Sequence, residues 1–278
     1  MDSLTLRCPA KVNLYLKIVG RRPDGYHDLI TVMQPLSLAD DLILTIQGAG
    51  ITLTGHYPGL PSDDGNLVVR AARAFQDATG DQFGVLLQLT KNIPVAAGLG
   101  GGSSDAAAVL RGLNRLRGHP LSDADLAALA RRLGADVPFF LQDVPALGRG
   151  IGELLTPITL PPLWYVLVNP GFAVSTAQVY AGLQPPFVDP GQTAIAQMLQ
   201  RHPTSWLHND LEGITMQRHP QIAVLKEALH RAGAQGVLMT GSGPTVFGIF
   251  AHATTAAQAA SRLHTDTGLW TAAARGLP

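Results

Sequence analysis

Residues 94–105 read Pro94-Val95-Ala96-Ala97-Gly98-Leu99-Gly100-Gly101-Gly102-Ser103-Ser104-Asp105. Two hydroxyls and a carboxylate follow the glycines directly, and then the small helix formers Ala106-Ala107-Ala108. A segment this bare of side chains lets backbone N–H groups approach a ligand closely. Ahead of it Val85-Leu86-Leu87-Gln88-Leu89 reads as a short strand. Behind it Ala106, Val109, Leu110, Leu113 and Leu116 recur at helical spacing. The order strand, glycine loop, helix puts the loop at a helix N-terminus. Unpaired N–H groups and the helix dipole favour an anion there, typically phosphate. Ser103 or Ser104 is expected to cap the helix, with Asp105 in its first turn.

The loop is neither of the two commonest phosphate loops. A P-loop carries Lys-Ser/Thr after its last glycine, whereas Gly102 is followed by Ser103-Ser104-Asp105. The dinucleotide fingerprint requires Gly or Ala where Ser103 stands, and no acidic residue sits about 20 positions on in a strand-like setting.

Composition narrows the classes. The chain has 278 residues, comfortable for two domains, and 46% of them are apolar, enough for a large core. Lys+Arg and Asp+Glu number 20 each, so net charge gives no case for nucleic acid or an anionic membrane as the main partner. The one cysteine, Cys8, excludes an internal disulfide and a cysteine metal cluster, and reads as a small buried hydrophobe. The opening Met-Asp-Ser-Leu-Thr-Leu-Arg is no signal peptide, and no run of about 18 apolar residues exists. The expectation is a soluble cytoplasmic enzyme; the oligomeric state is left open.

Along the chain, 4–7 and 12–18 read as strands. In Lys11-Val12-Asn13-Leu14-Tyr15-Leu16 the alternation sets Lys11 and Asn13 on one face, opposite the core. Pro23-Asp24-Gly25 marks a turn directly before Tyr26-His27. Apolar runs at 29–38 and 42–46 suggest further strands. Asn66 to Thr79, closed by Gly80, reads as a helix. Ser122-x-x-Asp125 starts another over about 123–133, ended by Gly134, and Asp136 is placed to cap a third. Residues 145–162 are rich in Gly and Pro, and the expected domain boundary lies near 160. Beyond it come strand 163–168, helices near 176–182, 193–201 and 221–232, and strands 236–240 and 245–250 around Gly241-Ser242-Gly243-Pro244. Mixed strands and helices in two blocks predict an α+β chain of two domains.

Three motifs in order now carry a resemblance. Pro9-Ala10-Lys11-Val12-Asn13-Leu14, the 94–105 loop and Gly241-Ser242-Gly243-Pro244-Thr245-Val246-Phe247 resemble the three motifs of the galactokinase, homoserine kinase, mevalonate kinase and phosphomevalonate kinase superfamily. Asp24-Gly25-Tyr26-His27, the triple glycine 100–102 and Gly134-Ala135-Asp136-Val137-Pro138 look like the branch whose acceptor is 4-diphosphocytidyl-2-C-methyl-D-erythritol, in the non-mevalonate isoprenoid precursor pathway. The resemblance implies residues 1–160 as an ATP-phosphate-binding and catalytic domain like the second domain of ribosomal protein S5. It implies 161–278 as a ferredoxin-like domain completing the substrate cleft. It also implies ATP and Mg²⁺ as cofactors, phosphorylation of the acceptor's 2-hydroxyl, and a small-molecule partner with a cytidine diphosphate moiety.

Residue by residue, the resemblance makes Asp136 the general base and Lys11 the cation that orients the hydroxyl and keeps the carboxylate ionised. It assigns Pro94, Val95, Ala96, Ala97, Gly98, Leu99, Gly100, Gly101, Gly102, Ser103 and Ser104 to the ATP phosphates, with Asn66 and Lys91 bordering the adenosine. Ser104 matches a loop serine that in the superfamily often meets Mg²⁺; the full metal ligand set stays open. Asn13 is expected on the sugar-like unit, and Tyr26, His27, Thr176 and Tyr180 at the cytidine end, where aromatic faces suit a base. The other histidines show no metal-ligand spacing. Other readings of the same chain are a homoserine- or mevalonate-type kinase, an S5-like RNA-binding protein, and a nucleotide-binding regulator without catalysis. Asp24-Gly25-Tyr26-His27 speaks against the first, zero net charge against the second, and the presence of both Lys11 and Asp136 against the third.

Overall fold

The computed structural model describes residues 2–56 and 59–278. Its strands are β1 (Ser3–Arg21), β2 (His27–Gln47), β3 (Ile51–His56), β4 (Gly84–Thr90), β5 (Ala146–Arg149), β6 (Leu154–Pro157), β7 (Trp164–Asn169), β8 (His208–Asn209), β9 (Gly236–Met239), β10 (Val246–Phe250) and β11 (Trp270–Arg275). Its helices are α1 (Leu67–Thr79), α2 (Gly101–Leu116), α3 (Asp123–Leu133), α4 (Phe139–Gln142), α5 (Thr176–Ala181), α6 (Gly191–Leu199), α7 (Glu212–Arg218), α8 (Gln221–Arg231) and α9 (Ala253–Thr267). The α+β class expected from the sequence stands. The contacts gather into two compact units. One holds the residues up to Ala10 with Ala39–Pro94 and Gly100–Asp143; the other holds Lys11–Leu38, Val95–Leu99 and Val144–Pro278. The units interleave along the chain, whereas the two expected domains are consecutive.

In the first unit, β3 runs parallel to β4, and the end of β2 runs antiparallel to β4 from Asp41 opposite Thr90 to Gln47 opposite Gly84. Helices α1 and α2 pack together on this side. Asn66 caps α1 by accepting from the Val68 N–H, and Gly80 closes it in the left-handed region at φ 67°. On α2, Gly112 is required by close packing: a Cβ there would stand 2.3 Å from Leu44 Cδ1 and 2.7 Å from Leu6 Cδ1. The Ser122–Asp125 capping box forms as expected at the start of α3. Cys8 is buried in β1, and burial first, then the Asp105 carboxylate, push its thiol well above the usual range.

In the second unit, Thr31–Met33 of β2 pair with β5, which forms a hairpin with β6, and Tyr15-Leu16 of β1 pair in parallel with β8. A separate four-stranded sheet, ordered β11-β7-β10-β9, is antiparallel throughout. Helices α8 and α9 pack on it, and Leu225, Leu229, Ala256, Ala260 and Leu263 share a core with Val166, Val168, Val246 and Phe250.

Several expectations change. Strands 4–7 and 12–18 are one strand, because Pro9 sits in it with a backbone that extended structure accepts. Runs 29–38 and 42–46 are one strand of 21 residues that passes through Asp40-Asp41. The Gly- and Pro-rich 145–162 contains the β5–β6 hairpin. Helix α9 and strand β11 follow the last element expected from the sequence.

Candidate active site

The glycine loop enters α2 without a side-chain cap. Gly100 is the N-cap, left-handed at φ 72°, and Ser103, Ser104 and Asp105 all lie inside the helix. The expected serine cap is therefore replaced by glycine, because the approach needs a left-handed residue. The first N–H groups of α2 receive no side-chain acceptor at the cap, so the helix dipole and these donors are available to an external anion. A Cβ on Gly102 would meet nothing within 4 Å. The Ser104 hydroxyl is buried and has no hydrogen-bond partner among the described residues.

The preceding stretch, Val95–Leu99, belongs to the second unit and packs on the third glycine motif. Ala96 (φ 53°) and Gly98 (φ 75°) are both left-handed. A Cβ on Gly98 would stand 2.5 Å from the Thr240 carbonyl oxygen, so only glycine allows the approach. The Thr240 hydroxyl donates to the Gly98 carbonyl at 3.2 Å and accepts from the Asn13 N–H at 3.0 Å. Residues 240–245 close on themselves through Thr240 N–H to the Thr245 carbonyl at 3.0 Å. Asn209 ties this turn to β8: its amide donates to the carbonyls of Met239 and Gly241, both at 2.8 Å.

Lys11 and Asn13 share a face of β1, as expected, but that face is covered; each is only 3% exposed. The Lys11 ammonium donates to Asn13 Oδ1 at 2.6 Å, and Asn13 Nδ2 donates to Thr31 Oγ1 at 2.8 Å. Asn13 thus orients the lysine through an amide that is itself fixed. The Leu99 carbonyl accepts from the Lys11 N–H at 2.9 Å, so loop and lysine strand are tied together.

Asp136 lies half-buried in the turn that joins α3 to α4. Val137 N–H returns to the Gly134 carbonyl at 3.2 Å, and Val137, Phe139 and Phe140 are fully buried just beyond it. Pro138, rather than Asp136, is the N-cap of α4. The carboxylate is held on a turn anchored by apolar burial.

At the expected cytidine end, Gly25 (φ 88°) makes the turn and Tyr26 N–H donates to Asp24 Oδ1 at 3.1 Å. The Tyr26 ring is 60% exposed, while His27 is buried. The ring facing Tyr180 is His27, at 5.5 Å between centroids, and Phe187 meets His27 edge-on at 5.8 Å. Burial first, then the Arg21 charge, hold the His27 imidazole below its ordinary pKa. Thr176 shares a hydrogen bond of 2.8 Å with Ser242.

Of the two residues expected at the adenosine, Asn66 is the α1 cap, and its Nδ2 donates to the Pro61 carbonyl at 2.9 Å. Lys91 is buried between Asp40 and Asp105. Burial, with the Asp40 charge, pushes Asp105 up to about 7 against the opposing pull of Lys91. Lys91 itself is raised, since its two carboxylates outweigh the burial that would lower it. Sequence reasoning missed Asp40, Thr240, Asn209 and Phe187. Asp40 had a signal, an acidic pair with Asp41 set between two apolar runs; the other three had none beyond proximity to a motif or a loop.

The chain matches the model of the GHMP kinases N terminal domain over residues 66–145 and of the GHMP kinases C terminal domain over residues 193–268. A 4-diphosphocytidyl-2-C-methyl-D-erythritol kinase of Geobacter metallireducens is 47% identical over 281 residues, covering 100% of both chains. A crystal structure of 4-(cytidine 5'-diphospho)-2C-methyl-D-erythritol kinase is similar at 38% identity and a TM-score of 0.86, covering 99% of this chain and 100% of that one. A homoserine kinase from Cytophaga hutchinsonii shares the fold, with a TM-score of 0.76 at 20% identity, covering 100% of this chain and 95% of that one. Glycine loop, lysine strand and third glycine motif thus occur in a chain that belongs to the GHMP kinase family, among its 4-diphosphocytidyl-2-C-methyl-D-erythritol kinases.

Proposed function

We propose that the chain transfers the γ-phosphate of ATP to the 2-hydroxyl of 4-diphosphocytidyl-2-C-methyl-D-erythritol. The observation that carries the phosphate half is the N-terminus of α2, which Gly100 opens without a side-chain cap. Family membership carries the acceptor. Phosphoryl transfer asks the protein for positioning and charge stabilisation more than for covalent chemistry. In this reading Asp136 takes the proton of the acceptor hydroxyl. The hydroxyl oxygen forms the new bond to the γ-phosphorus, the bond to the β,γ-bridging oxygen breaks, and ADP leaves with that electron pair. Lys11, held by Asn13, offsets the negative charge that develops. His27, whose pKa burial lowers, presents in its neutral form one ring donor and one acceptor to a base edge, beside the Tyr180 and Phe187 rings.

Mg²⁺ takes oxygen ligands and keeps several waters when it travels with nucleotide phosphates. Ser104 Oγ, buried and without a hydrogen-bond partner among the described residues, fits as a protein oxygen for it. When bound, the ion would neutralise charge on the transferring phosphates.

ADP release measured with the cytidyl acceptor, homoserine and mevalonate side by side tests the assignment. Turnover is expected with the first alone, and free CDP should compete with the acceptor and not with ATP. Turnover of homoserine or mevalonate in its place would overturn it. The phosphate role of the loop has its own test. Gly102 is helical and a Cβ there meets nothing, so Gly102→Val should fold normally and still block the approach of phosphate. Calorimetry should show ATP binding weaker by at least about tenfold, or about 1.4 kcal/mol.

A further inference from the structure

A buried charge cluster closes the base of the glycine loop. Asp40 lies fully buried in β2, and its Oδ1 accepts from the N–H groups of Asn92 at 2.6 Å and Ile93 at 2.8 Å, the residues that lead into the loop. Its Oδ2 accepts from the Lys91 ammonium. Lys91 also donates to Asp105 Oδ2, on α2 just past the loop, at 2.7 Å. Lys91 and Asp105 therefore bracket the loop, and Asp40 holds its entry from a third element. The first turn of α2 rests on the same groups: a Cβ on Gly101 would stand 3.1 Å from Lys91 Nζ and 3.3 Å from Asp40 Oδ2.

Burying three charged groups is costly, and an apolar filling is often as stable. One cation also faces two carboxylates, so they cannot both be matched by it, and the composition is not the cheapest way to fill the space. What it supplies is geometry. A glycine-rich segment has many backbone states, and each must be given up when a ligand orders it. Fixing both ends beforehand reduces that cost at the moment of binding.

We propose that Asp40, Lys91 and Asp105 are positioning residues that staple the two ends of the glycine loop and so preorganise its N–H groups for the ATP phosphates. The proposal rests on the phosphate-binding reading of the loop. It gives Lys91 a task other than the adenosine contact expected from the sequence.

The test compares Asp105→Ala, Asp105→Asn, Asp40→Ala and Gly102→Val in the full chain, with KM for ATP, KM for the acceptor, ATP affinity by calorimetry, and thermal midpoint. Asp105→Ala should raise the KM for ATP by about 5- to 20-fold and leave that for the acceptor within about twofold. Asp105→Asn should restore it, because the carboxamide oxygen still accepts from Lys91 and the cluster becomes neutral. Asp40→Ala should raise it further if the variant folds; the Asp105 pair decides the matter if it does not. A merely structural role would lower the midpoint and the active fraction without separating the two KM values. An unchanged KM for ATP in Asp105→Ala, with ATP binding weakened in Gly102→Val, overturns the staple and leaves the loop reading intact. Normal ATP affinity in Gly102→Val overturns the loop reading, and the staple with it. Equal increases in both KM values, or no rescue by asparagine, also overturn the staple.

Discussion

Replacing Asp136 by asparagine is expected to lower kcat by about 10²–10⁴ and to leave the KM for ATP within about a factor of two. Asparagine keeps the size of the side chain and its place on the turn between α3 and α4. It cannot accept the proton of a hindered tertiary hydroxyl. The anchors of that turn, Val137, Phe139 and Phe140, are untouched, so the fold should persist. Single-turnover measurements with ATP in excess separate the chemical step from binding. A variant that keeps more than half of the wild-type rate would remove Asp136 from the mechanism.

Truncating Tyr26 should instead act on the acceptor alone. A base stacked on an aromatic face gains about 1–3 kcal/mol. Tyr26→Ala is therefore expected to raise the acceptor KM by about 5- to 150-fold, at about 1.4 kcal/mol per factor of ten. The ring is exposed and packs little in the unliganded chain, so stability should change by less than about 0.5 kcal/mol. His27→Ala should act in the same direction and also relax the preference for cytidine over uridine analogues. It removes the ring between Tyr180 and Phe187, so a loss of stability is expected as well. Burial first, then the Arg21 charge, hold the imidazole below the ordinary histidine pKa near 6.5. As pH falls, the acceptor KM should accordingly start to rise at a lower pH than a solvent-exposed histidine would impose. Equal effects on ATP and acceptor, or on ATP alone, would contradict the cytidyl role.

How far the sequence could be read depended on where the deciding physics lies. The α3 capping box and the Gly80 stop of α1 were legible because four or five neighbouring residues settle them. The length of β1 and β2 was not. Pro9 and Asp40 look like breaks, yet an extended backbone accommodates the proline, and the aspartate is neutralised by Lys91 and two N–H groups some 50 positions away. Helix α9 was missed because its buried side is mostly alanine, Ala256, Ala259 and Ala260, which gives little hydrophobic periodicity. Strand β11 carries three alanines of low strand preference and is fixed by pairing with β7, a tertiary effect. At the candidate site the side-chain partners were not legible. Tyr180 was expected at the cytidine end, and the ring it packs against is His27; Lys91 was expected to border the adenosine and lies between two carboxylates.

The buried thiol of Cys8 has a practical corollary. It is the chain's one cysteine, it is enclosed in β1, and its surroundings disfavour the thiolate that alkylating reagents attack. In the native protein it should label only as fast as the strand opens, so its alkylation rate is a built-in gauge of local unfolding beside Asp105. By the same reasoning, a cysteine introduced at an exposed position such as Val188 would react alone. A fluorophore can then be attached next to Phe187 in the otherwise unaltered chain, and acceptor binding at the aromatic cluster can be followed in real time.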